Sequence, residues 1–264
     1  MTKNNEGLLT FGGHLNVLRR MLFRIIAVAG SIAIVIFCFK DITWKLLLAP
    51  SEYTFVTYRW IENVATAIGL DFHFDPFAVD LIATDLSSQF LTHITTSIYL
   101  GLLGASPYIL YELFKFVSPA LYDNEKRYSL QVVVVVYLLF ILGVLMSYFV
   151  LFPISFRFLG TYSVAEKIHS TITLDSYIST FTTLTLLMGV VFQLPVIAFA
   201  MAKFGLVTSQ MLSRYRKHSF FIIMILAAII TPPDIMTLIL LTIPLYLLYE
   251  VSICVTKLVE KRQT

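Results

Sequence analysis

The chain has 264 residues, 58% of them hydrophobic and 13% charged, whereas a soluble domain is about half apolar and about a quarter charged. The apolar residues are bunched into runs, which excludes an ordinary soluble protein, and a net charge of +3 is too small for bulk charge to mark a nucleic-acid binder. Two cysteines and five scattered histidines show no metal-ligand spacing, so no metal or other cofactor is expected.

The first element is an apolar stretch behind paired arginines. RRMLFRIIAVAG, with its Ala-x-Ala triplet at Ala27–Ala29, has the outline of a cleavable export signal. The run continues through Phe39, however, and a membrane helix needs about 20 mostly apolar residues, so a retained first span is expected over 21–39. A long acidic connector follows over 40–89, carrying Asp41, Glu52, Glu62, Asp71, Asp75, Asp80 and Asp85. Within it EYTFVTYRWIENVATAI mixes aromatic and polar residues at helical spacing. It suits an interfacial helix, a cap over the spans, or a loop packed on itself.

Further spans are expected over 90–113, 128–151 and 177–202, and then a final pair over 218–231 and 235–254, split by TPPD at Thr231–Asp234. The fifth is short, rising roughly 21 Å against about 30 Å of hydrocarbon. Gly101, Gly104, Ala105 and Ser106 form a small-residue face for close helix contact, and Pro107, Pro153, Pro195 and Pro244 are expected to kink their helices. The fold class is therefore an all-α integral membrane protein with six transmembrane helices, in one polytopic domain over 1–264. With the N-terminus in the cytoplasm, 14 of the 19 Lys and Arg residues fall on the inner side. Short cytoplasmic loops are rich in Lys and Arg, so both termini are expected inside. Cys38 and Cys254 then lie near opposite faces and are not expected to pair.

Few residues carry chemistry. The connector FKFVSPALYDNEKRY (Phe114–Tyr128) holds Glu125 beside Lys126 and Arg127. Glu125 is either a solvated carboxylate paired locally or a binding site for a guanidinium, which meets a carboxylate in a bidentate fork. Phe116 and Pro119 would hold the loop in shape. Gln193, in MGVVFQLPVIAF, is a polar side chain at mid-membrane that needs a partner, either a neighbouring helix of the same chain or another protein. Pro195 would free a backbone carbonyl for it. Glu250, near the inner end of the last span, is expected to snorkel or to pair with Lys257. No nucleophile–base pair, phosphate loop or buried carboxylate cluster is visible, so an enzyme is not expected.

Five motifs, in this order and spacing, resemble the TatC family, the core subunit of the twin-arginine protein translocase. They are HLNVLRRML (His14–Leu22), SPYILYELFKFVSPALYDNEKR (Ser106–Arg127), GVVFQLPV (Gly189–Val196), TPPD (Thr231–Asp234) and IPLYLLYE (Ile243–Glu250). The resemblance implies a glove-shaped bundle in the cytoplasmic (inner) membrane that binds twin-arginine signal peptides on its cytoplasmic face. It implies single-span partners, TatA and sometimes TatB, self-association in a larger complex, and export of folded proteins driven by the proton-motive force. On the matching positions, Glu125 is the arginine-binding carboxylate, Phe116 its supporting aromatic and Arg19 the first-loop arginine. Gln193 and Thr231 would meet the single-span partners within the membrane. Pro119, Pro232, Pro233, Asp234 and Glu250 complete the structural motifs. One position departs: the family pattern reads His-Leu-x-Glu-Leu-Arg, and here Val17 stands where the glutamate belongs. A secondary transporter or channel for a small solute is the alternative reading. It would call for charged residues facing a central cavity and often two related halves, and neither is visible.

Overall fold

The computed structural model describes residues 11–70, 74, 76, 77, 79–121, 126–163, 165, 171–231 and 234–263, with the backbone alone at 11–15, 117–121, 126–131, 230, 262 and 263. Among these residues the chain is almost entirely helical. In order come α1 (Phe11–Cys38), α2 (Lys40–Leu48), α3 (Val56–Ala67), α4 (Ser88–Gly104), α5 (Ser106–Leu121) and α6 (Lys126–Met146). They are followed by α7 (Phe152–Thr161), α8 (Leu174–Val191), α9 (Leu194–Lys203), α10 (Ser209–Arg214), α11 (Arg216–Ile230) and α12 (Ile235–Gln263). Two short strands, β1 (Leu81–Ile82) and β2 (Ile172–Thr173), pair in parallel.

Among the described residues, four stretches are long and apolar enough to cross a membrane: Asn16–Cys38, Val132–Thr161, Leu174–Lys203 and Ile235–Lys261. Each overlaps an expected span. The other two expected spans take a different form. The helix over 90–113 divides at Ala105 into α4 and α5. Pro107 has no N–H to continue the ladder there, and Ala105 closes α4 by donating to the Gly101 carbonyl at 2.9 Å. The fifth helix, α11, has 15 residues. Residues 114–121, expected as connector, form the last two turns of α5, so Pro119 sits in a helix rather than in a loop.

Close helix approach rests on glycine where it was expected and also where it was not. A Cβ at Gly101 would lie 2.7 Å from Ala33 Cβ and 2.8 Å from the Ala29 carbonyl oxygen, so α4 meets α1 backbone to backbone. A Cβ at Gly143 of α6 would overlap the Met188 carbonyl of α8. Beside that contact lies a core of Leu151, Met188, Phe192, Ala227, Leu241 and Leu245, which joins α8, α11 and α12. A second core, aromatic, has Phe152 edge-on to Tyr177 and Phe181 at 5.0 Å each.

The long connector packs as a cap. Between α6 and α7 the chain makes a five-residue π-helical turn, Ser147–Leu151, and then reaches Pro153. Pro153 cannot donate to the Phe149 carbonyl, four residues back, and the Thr57 hydroxyl of α3 donates to that oxygen instead. The next side chain, Tyr58, is 2% exposed and donates to the Pro50 and Pro153 carbonyls at 3.1 and 2.9 Å. The Arg157 guanidinium lies against the rings of Phe74, Phe77 and Tyr58 at 3.9, 4.9 and 5.5 Å. The β1–β2 pairing fixes the far end of the connector to the segment before α8.

Candidate functional site

At the end of the bundle where α1 begins, a groove of about 260 Å³ opens between α1 and α5. Helical periodicity builds it. On α1 the residues Val17, Arg20, Met21 and Arg24 recur three and four apart and so share one face. On α5 the same spacing aligns Glu112, Lys115 and Phe116 opposite them. The walls are apolar and the rim is cationic. Among the described residues that line it, the one acid is Glu112, 7% exposed. Its Oε1 accepts from the Tyr108 hydroxyl at 2.9 Å, one turn earlier on α5, and from Arg24 Nη1 at 3.4 Å. Chemically, this is an aromatic-sided slot with a fixed carboxylate at one edge.

The residues expected to meet partners within the membrane make their hydrogen bonds within the chain. Gln193 follows α8 and precedes α9, and its Nε2 donates to the Val136 carbonyl of α6 at 3.0 Å. The carbonyl it satisfies is thus one on a neighbouring helix, not the one Pro195 leaves free. Its Oε1 is buried without a partner among the described residues. Beside it lies an apolar cavity of about 410 Å³, lined by Val135 and Leu139 of α6, Pro195 and Phe199 of α9, and Val251 and Val255 of α12. Thr231 is buried and donates to the Ala227 carbonyl at 2.9 Å. Asp234 caps α12, its Oδ1 accepting from the Thr237 N–H at 2.6 Å. Pro232 and Pro233 lie outside the described residues. Glu250 pairs with Arg216 of α11 through both oxygens, at 2.8 and 2.9 Å, and accepts from the Tyr246 hydroxyl at 3.1 Å. Lys257, the expected partner, is two turns away along the same helix, while Arg216 opens the helix packed alongside.

Residues 13–244 match the family model of TatC, the Sec-independent protein translocase protein. The chain belongs to the TatC family. It is 32% identical to the Sec-independent protein translocase protein TatC of Blattabacterium sp. subsp. Periplaneta americana, over 99% of this chain and 100% of that one. It is 33% identical to TatC of Desulforapulum autotrophicum, over 96% and 86% of the two chains. A crystal structure of the twin-arginine translocase receptor TatC superposes with a TM-score of 0.73 at 31% identity, covering 94% of this chain and 99% of that one. The protein is thus a TatC-family membrane protein of the Sec-independent translocase, a component of protein transport.

Seen as a TatC-family chain, the groove brings together part of the set expected from the sequence. Phe116 lines it, and so does Val17, the position where the family pattern has glutamate. Arg19 does not line it: exposed on another face of α1, its guanidinium lies 5.6 Å from the Phe23 ring centre. Glu125 and the side chain of Pro119 lie outside the described residues. Glu112 was missed. Its signal in the sequence was a lone acid in an apolar run, with tyrosine four residues before it.

Proposed function

We propose that this TatC-family chain receives twin-arginine signal peptides at the α1–α5 groove and, with TatA-type and TatB-type single-span partners, exports folded proteins using the proton-motive force. In this reading the chain is one glove-shaped polytopic domain that crosses the cytoplasmic membrane six times. Both termini are cytoplasmic, and the chain self-associates in a larger complex. Glu125 receives a guanidinium of the signal, Phe116 backs it, and Arg19 lies beside the entrance. Gln193 and Thr231 face the single-span partner. The observation that carries the reading is the groove itself, which combines apolar and aromatic walls with a carboxylate at the arginine-rich end of α1.

The test is the affinity of the purified full-length chain for a twin-arginine peptide and for the same peptide with twin lysine. A charge-assisted hydrogen bond contributes roughly 1.5–3 kcal/mol, about tenfold to a hundredfold in affinity. Glu125→Gln should lower twin-arginine affinity by about that factor and impair export of folded cargo. Binding equal to the parent's in that variant would show the signal site to be elsewhere.

A further inference from the structure

One feature of the groove lies outside the set of site residues expected from the sequence. Glu112 is held firmly, its side chain 8% exposed, whereas the Arg24 side chain paired with it is 56% exposed. The contact between them is single and long, at 3.4 Å, and it falls on the oxygen that already accepts from Tyr108. Oε2 has no hydrogen-bond partner among the described residues. A settled arginine–carboxylate pair is typically a two-pronged fork at about 2.7–2.9 Å, and this same chain makes one between Arg216 and Glu250 at 2.8 and 2.9 Å. The Arg24–Glu112 pair is therefore half-made: one fixed carboxylate with an oxygen unpaired among the described residues, covered by a guanidinium whose side chain is itself largely exposed.

We propose that Glu112 supplies the carboxylate that position 17 lacks, and that Arg24 covers it in the unliganded protein as an internal stand-in for a signal arginine. This rests on the reading of the groove as the signal site. Val17 and Glu112 line the same cavity from opposite helices, so a carboxylate on α5 serves the space that one on α1 would serve. A buried carboxylate without a partner is strongly unfavourable, which explains why a cation covers it at rest. The incoming guanidinium forks onto Oε1 and Oε2 while Arg24 swings into water, so one ion pair replaces another. The exchange favours arginine over lysine, because an ammonium is a point charge and cannot make the fork.

The experiment compares Glu112→Gln, Arg24→Gln and the double variant with the parent, and takes Glu125→Gln as the reference for the site. Affinity for twin-arginine and twin-lysine peptides is read on the full-length chain in lipid nanodiscs. Glu112→Gln should weaken twin-arginine binding about tenfold and narrow the preference over twin lysine. Arg24→Gln should act in the opposite sense and tighten binding several-fold. In the double variant the gain from Arg24→Gln should vanish, since there is no carboxylate left to uncover. A gain that persists in the double variant means Arg24 only repels cations in general, and overturns the proposal. So does parent-like binding by Glu112→Gln when Glu125→Gln has lost affinity, an outcome that leaves the signal-site reading standing. Loss of neither variant's affinity overturns both. If Glu112→Gln does not fold, Arg24→Gln alone decides: tightening of twin arginine well beyond twin lysine supports the exchange, since only a guanidinium makes the fork, and equal tightening of both peptides refutes it.

Discussion

Gln193 shows what one amide does inside an apolar helix pair. Its N–H group fastens the α8–α9 break to the Val136 carbonyl, and its oxygen is buried without a partner among the described residues. Intramembrane hydrogen bonds average roughly 0.6 kcal/mol, so Gln193→Leu should lower unfolding stability in detergent by about that amount. If the oxygen also meets a single-span partner, crosslinking to that partner should fall as well. Unchanged crosslinking would assign Gln193 wholly to the joint between α6 and α9. Tyr58 gives a second test at this scale. Burial pushes its phenol well above its ordinary value, while the Arg157 charge beside it pulls the other way. A phenol raised in the folded state contributes stability that is complete below the unfolded value of about 10 and is lost as pH rises beyond it. The fall in melting temperature above pH about 10 should therefore be shallower in Tyr58→Phe than in the parent, although the variant starts lower for want of its two hydrogen bonds.

Two joints between elements can be broken by one substitution each. Thr57→Val keeps the shape of the side chain but leaves the Phe149 carbonyl, which Pro153 cannot serve, without a donor. Losing a hydrogen bond of this kind costs about 0.5–1.5 kcal/mol, and thermal unfolding with limited proteolysis of the connector should report it. Gly143→Ala forces a methyl group against the Met188 carbonyl, and overpacking of this kind costs about 1–3 kcal/mol. Gly30, with open space around it, is the control position at which alanine should do no such harm. These joints also mark where sequence reasoning stops. The apolar runs of α1, α8 and α12 were plain from composition, as was the small-residue face around Gly101. The Ala105 break was not, because proline inside an apolar run signals a kink and a full stop equally well. Glu112 escaped notice because its partner, Arg24, lies 88 residues away, and local spacing carries no record of such a contact.

For the whole molecule, the expectation still to be tested is topology. In a background with Cys38 and Cys254 replaced by serine, single cysteines introduced at positions 75 and 166 should react with an impermeant thiol reagent added from outside intact cells. Cysteines at 124 and 213 should react only after permeabilisation, and outside labelling at 124 would reverse the orientation. Both native cysteines are exposed and free, so replacing them should not disturb the fold. The Arg216–Glu250 fork carries a consequence for how the bundle is made. Arg216 leaves the ribosome 34 residues ahead of Glu250, so the acid of α12 enters the lipid with its counter-charge already synthesised on α11. The last two helices are thereby suited to partition from the insertion machinery as a pair, not one after the other. A circular permutant that makes α12 before α11 would present a bare carboxylate to the bilayer and should insert poorly, even though its finished contacts would be the same.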